Sequence, residues 1–335
     1  MHGGDGAAAA WKRRPEGGGR LPIALIAAVA RHGGRGLARL CLYPITLYFL
    51  LVRGPERRAS RAWLARVAGR PAGLAAVARH IHTFAATILD RVFLLGGQLR
   101  RFDIRVHGLE ALEALVDAGR GALLFGSHLG SFDALRVLSR RRPGLKLRIV
   151  LDRAQNPVLT SVFDSLDPAL AAGVIDGGQP GPAIALEIQR ALEQGALVAL
   201  LVDRALAHED TAAVPFLGRA ARLPLTPWRL ARALRAPVLL CFGLYRGGNR
   251  YDLHFEPFAD PAADGPPPAR GARDERLRAQ VAAYAARLEH HARGAPYNWF
   301  NFYDFWNEEA DDAAPDPAPP GAAAGRRDAA LRRGA

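Results

Sequence analysis

Four short apolar runs restrict what this chain can fold into more than any other feature. They are "GALLFGS" from Gly121, "KLRIVLD" from Lys146, "GALVALLVD" from Gly195 and "PVLLCFGLY" from Pro237. Consecutive apolar residues suit strands covered on both faces, because a strand with one wet face alternates. Helical stretches such as "PAIALEIQRALEQ" separate the runs, and strands alternating with helices build a parallel sheet. A fifth run, "YDLHFEPF" from Tyr251, alternates and reads as an edge strand. The fold expected is α/β, with a mixed, mostly parallel sheet flanked by helices.

The rest of the chain divides by composition. A Gly- and Ala-rich head, residues 1–20, reads as flexible. Residues 21–58 read as apolar membrane-associating helices, residues 59–307 as one catalytic-sized domain, and residues 308–335 as a disordered tail with too few apolar side chains to pack. From Glu56 to Arg101, Trp63, Val67, Val77, Ile81 and Ile88 recur near helical spacing. His80 and His82 do not share a helix face and read as surface or interhelical residues rather than ligands. The helix "DERLRAQVAAYAARLEHHA" and the aromatic segment "PYNWFNFYDFW" close the domain.

The formal net charge is +13, carried almost wholly by arginine, since Lys12 and Lys146 are the two lysines. The richness in Ala, Arg, Gly and Pro points to a GC-biased genome, which inflates arginine without functional demand, so the distribution of charge is more informative than its total. Residues 1–60 hold ten basic and three acidic residues, more than half the excess. That clustering fits an anionic membrane surface better than an even solvating coat does, and no nucleic-acid partner is expected. In the same region "LPIALIAAVA", Leu21 to Ala30, resembles a signal-peptide core. A second apolar segment, Leu37 to Val52, follows at once and argues for a membrane-dipping helix or a marginal anchor. A buried core helix is the alternative. Cys41 and Cys241 sit in apolar runs and lack partners at metal-ligand spacing, so neither a disulfide nor a metal site is indicated.

Three of the apolar runs end in polar residues: His128 after the first, Asp152 and Arg153 after the second, Asp203 and Arg204 after the third. Carboxyl ends of strands in an open α/β sheet are where ligands bind, so these ends nominate one site. His128 and Asp133 cannot meet on an uninterrupted helix, because five residues turn about 140° beyond a full turn. If the chain bends at Gly130 and a helix starts near Ser131, the Asp133 carboxylate reaches back to the ring as the orienting partner of a general base. A packed core histidine beside a helix-start carboxylate is the alternative. Ser127 and Ser131 flank the histidine, but neither stands in a Gly-x-Ser-x-Gly elbow, which argues against a serine hydrolase.

Taken with "LDRAQNP", "LLVDRALAHEDTAAVPFLGRAARLP" and "APVLLCFGLY", the "HLGSFD" block resembles the glycerolipid acyltransferase superfamily, and within it the late acyltransferases of lipid A biosynthesis. The aromatic ending is similar to that of the acyltransferases of aryl-polyene lipid clusters. The resemblance implies a hydroxyl attacking a thioester of an acyl carrier protein or coenzyme A, with His128 as base and Asp133 as its orienter. It implies that Arg153 holds anionic substrate, with Asn156 and Arg204 alongside. Asp203 becomes a structural or relay carboxylate, and Phe216 and Gly218 line an acceptor or acyl pocket. Where the family usually has Asp-Gln, this chain has Asp203-Arg204.

The activity expected is acyl transfer onto a lipid or glycolipid hydroxyl at the cytoplasmic face of a bacterial inner membrane, with no metal and no bound cofactor. A thioesterase, with water as acceptor, is the enzymatic alternative. A basic lipid-binding protein is the non-enzymatic one.

Overall fold

A computed structural model describes Val29 and residues 33–306, apart from 136–137, 139–141, 143, 155–159, 161–170, 207–208 and 264–269. The expected loose head, the signal-like segment (Val29 excepted) and the C-terminal tail lie outside the described residues.

Seven strands form the main sheet: β1 (Asp103–His107), β2 (Ala122–Gly126), β3 (Leu147–Leu151), β4 (Val174–Asp176), β5 (Leu197–Leu201), β8 (Val238–Gly247) and β9 (Arg250–Ala259). Their order is β1-β9-β8-β2-β5-β3-β4, and every neighbouring pair is parallel except β8 with β9. β6 (Thr211–Phe216) and β7 (Arg219–Pro224) form a separate antiparallel hairpin. The mostly parallel α/β sheet expected from the apolar runs is present. One detail differs: β9 is an interior strand, because the short β1, unread in the sequence, pairs along its outer side.

The apolar runs are continuous because alternate residues serve two cores. Leu123, Phe125, Val198, Leu240 and Phe242 pack into one core, while Ala122, Leu124, Leu197 and Cys241 pack into the other. Side chains of a strand point alternately to opposite faces, so a sheet covered on both sides needs apolar residues at every position.

Seven helices enter the argument: α1 (Leu42–Val52), α2 (Gly54–Ala68), α3 (Leu74–Leu95), α4 (Leu109–Asp117), α5 (Gly181–Glu193), α6 (Thr226–Ala233) and α7 (Arg270–Gly294). α2 starts with Pro55 in its first turn and stops at Gly69 in the left-handed conformation, an arrangement that both residues favour. The boundary expected after residue 58 falls inside this helix. α3 reaches both cores, with Val77 and Ile81 in one and Ala86, Leu89 and Phe93 in the other. His80 lies between elements, fully buried, and bonds the Ser60 side chain at 2.8 Å and the Trp299 carbonyl at 2.6 Å. A carbonyl only accepts, so His80 Nε2 carries the proton and Nδ1 accepts from the serine. Burial holds its pKa down at about 4.

A helical run over Gly33–Val52, with a turn at Cys41, is apolar and long enough to cross a membrane, with a mean hydropathy of 1.3. One face is docked: Ala38, Leu42 and Leu50 are in the core. The opposite stripe of Leu40, Tyr43, Leu47 and Leu51 is mostly exposed. Arginines near this helix turn inward. Arg35 forks onto the fully buried Asp90 at 2.7 and 2.8 Å, and Tyr251 donates to the same carboxylate at 2.9 Å. Arg39 reaches the Tyr245 hydroxyl at 2.7 Å, and Arg53 pairs with Glu56 at 2.5 Å. Removing one partner of a buried pair such as Arg35–Asp90 typically costs about 3–5 kcal/mol, so this helix is fastened to the domain.

Candidate active site

His128 follows β2 directly, in a loop shaped by glycine. Gly130 has φ +84°, and a Cβ there would overlap the Gly243 carbonyl oxygen on β8. Gly243 in turn leaves room for Ser131, whose N–H donates to the Gly243 carbonyl at 2.7 Å. Gly126, at the end of β2, makes space for the Phe132 ring. The two backbones touch because both positions lack side chains, and this contact sets where the histidine points. After it the chain makes a single 3-10 turn, Phe132–Leu135, in place of the helix start expected near Ser131.

That geometry changes the partner of the imidazole. His128 Nδ1 lies 2.8 Å from Asp203 Oδ1, and the His128 backbone N–H donates to Asp203 Oδ2 at 3.0 Å. Asp203 stands just past the end of β5, the strand beside β2, and is fully buried. Asp133, the partner expected from the spacing, instead accepts from Arg91 Nε at 2.7 Å. The 3-10 turn carries it toward α3.

Since a carboxylate only accepts, Nδ1 carries the ring proton and Nε2 holds the basic lone pair. Burial would push the Asp203 carboxyl up, but His128 and Arg204 outweigh it and hold it well below the usual carboxylate range. For His128, burial and the Arg204 and Arg91 cations outweigh the support of Asp203, and its pKa is lowered. At neutral pH the pair is therefore a neutral imidazole oriented by an ionised carboxylate. The side chain is a quarter exposed, so the ring is open to a reactant. Ser127 Oγ and Ser131 Oγ are buried and neither is hydrogen-bonded to His128, so neither is paired with it as a serine nucleophile is with its base.

The aromatic segment at the domain's end completes the site, and sequence reasoning had not assigned it a part. Asn301 Nδ2 donates to Asp203 Oδ2 at 3.0 Å, and its Oδ1 accepts from Arg204 Nε at 2.6 Å. The Phe300 N–H donates to the His128 carbonyl at 2.8 Å, and the Gly130 N–H to the Asn298 carbonyl at 2.7 Å. Asn298 braces β8 through both backbone groups of Tyr245. Two asparagines three residues apart in an otherwise aromatic stretch were the available signal, since buried amides need partners.

His128, Asp203 and Arg204 thus converge. Arg153 stands after β3, on the far side of β5, with its N–H 3.3 Å from Asp176 Oδ1. Asn156 lies outside the described residues. Phe216 is fully buried among Trp63, Trp299 and Trp306 behind the His128 loop, and Gly218 forms the left-handed apex of the β6–β7 hairpin at φ +81°.

A family model described as bacterial lipid A biosynthesis acyltransferase matches residues 86–307, about two-thirds of the chain. The chain belongs to this family. It is an acyltransferase, and its acceptor is of the lipid type. The match runs from the second half of α3 to the aromatic segment, so it takes in His128, Asp133, Arg153, Asp203 and Asn301. No curated protein sequence matches the chain significantly.

Proposed function

We propose that this protein transfers an acyl chain from a carrier-protein or coenzyme A thioester to a hydroxyl of a lipid or glycolipid, with His128 as general base. The observation that carries the proposal is the Asp203–His128 pair, which leaves Nε2 unprotonated at the carboxyl end of β2 in a chain of an acyltransferase family. Nε2 takes the acceptor's proton as its oxygen attacks the thioester carbonyl. Asp203 stabilises the imidazolium that forms, and the proton then passes to the departing thiolate. Asn301 and Arg204 hold Asp203 in register as positioning residues. Arg153, at the end of β3, is assigned to anionic substrate, a task that suits a permanently charged fork. Asp133 is assigned to holding Arg91 beside the base.

We further propose that the Gly33–Val52 helix lies along the cytoplasmic surface of the inner membrane. A docked face and an exposed apolar stripe on one helix describe an interfacial element, and Arg35 ties it to the domain. Its acceptor then reaches the site without leaving the bilayer. The experiment is product analysis by mass spectrometry, with purified full-length protein, a labelled acyl thioester and lipid A-type glycolipid in detergent micelles. Label in an ester of the lipid is the expected result. Label only in free fatty acid makes the enzyme a thioesterase and overturns the proposal.

A further inference from the structure

A second constellation stands at the outer side of the sheet, on residues the transfer reaction does not use. His107 of β1 and His254 of β9 are direct cross-strand partners, with rings stacked 4.6 Å apart. Asp252 precedes His254 by two positions and so projects from the same face. The ligating atoms of these three side chains all lie within 4.8 Å of one another. We propose that His107, Asp252 and His254 form a binding site for a borderline divalent transition-metal ion, best matched by Zn2+.

Two further observations support a cation there. His254 Nε2 is buried and has no hydrogen-bond partner among the described residues. A buried polar nitrogen left unpaired asks for an explanation, and an ion is one of the few. Asp252 Oδ2 accepts from Arg246 Nε at 2.8 Å. That contact orients the carboxylate as outer-sphere partners of metal ligands do, and leaves Oδ1 to bind.

Two imidazole nitrogens and one carboxylate form a three-ligand zinc set with a fourth position open to water or another donor. Bonds of about 2 Å at a tetrahedral centre bring donor atoms to about 3.4 Å of one another. His107 is exposed on the edge strand, so rotating its ring closes the remaining gap without moving backbone. Bound there, the ion would clip β1 to β9. Hard cations such as Mg2+ are disfavoured because they demand oxygen ligands.

The test uses tag-free, full-length protein in detergent, stripped with chelator and titrated with Zn2+, with Co2+ as a spectroscopic substitute. Wild type should retain a single equivalent of Zn2+ through this site, give the intense visible bands of tetrahedral Co2+, and melt a few degrees higher with metal. His107→Ala, at an exposed position, should stay folded and transfer-competent yet bind Zn2+ at least tenfold more weakly and lose the Co2+ bands. Asp252→Asn should weaken binding too, while His290→Ala, at an exposed neighbour, should leave it unchanged. Equal Zn2+ affinity in wild type and His107→Ala, or no Zn2+ retained by wild type, overturns the proposal.

Discussion

At the scale of single residues the account turns on which carboxylate serves His128. Asp203 bonds both the ring and the backbone N–H of His128, whereas Asp133 is committed to Arg91. Asp203→Asn keeps a hydrogen bond but removes the charge that stabilises imidazolium, so transfer should fall by about a hundredfold or more. Asp133→Asn should lose less, and steady-state rates of the two folded variants provide the comparison. The pH profile offers an independent check. Because the His128 pKa is lowered, the basic form persists from neutral pH to below the ordinary histidine value of about 6.5. Log kcat/KM should therefore stay flat down through that value and fall only at lower pH. Arg204 depresses the pKa, so Arg204→Gln should move the acid limb upward, while Asp203→Asn should move it downward. That His128, Asp203 and Arg204 lie together was legible because each follows an apolar run. Asp133 was misread because residue spacing does not reveal that a 3-10 turn follows Gly130.

At the scale of elements, the loop between β2 and that 3-10 turn and the N-terminal helix do separate work. Gly130→Ala forces a side chain into the left-handed region, worth about 1–2 kcal/mol by itself, and drives it against the Gly243 carbonyl. The urea midpoint should drop, and transfer should fall in whatever remains folded. An unchanged midpoint would show that the loop has another way to pack. For the helix, Leu40→Glu with Leu47→Glu changes only the exposed stripe and spares the docked face. It should move protein from the membrane pellet to the supernatant without altering the circular dichroism spectrum. The four apolar strands were readable because strands covered on both faces are apolar throughout. The β6–β7 hairpin was not, since "TAAVPF" and "RAARLP" are poor in β-branched residues, and β1 was hidden by its charged alternation. β9 looked like an edge for the same reason that β1 was missed.

At the scale of the whole molecule, the two sheet faces have different tasks. One core carries α4 and the start of the N-terminal helix, Ala38 and Leu42, and the other carries its end at Leu50 with α2, α5, α6, α7 and the aromatic segment, whose backbone is bonded to the His128 loop. The site is consequently held by α3, by the aromatic segment and by the sheet between them. Asn298 and Asn301 are its last struts, which is why a segment that reads as simple aromatic packing bears on catalysis. The central claim, that the imidazole after β2 is the base for acyl transfer, is tested most directly by the transfer rate of folded His128→Ala from a labelled acyl thioester to a lipid acceptor. The account predicts a loss of about a hundred- to ten-thousand-fold with the circular dichroism spectrum unchanged. A folded variant that keeps more than about a tenth of the wild-type rate, far above what loss of a general base permits, would contradict it.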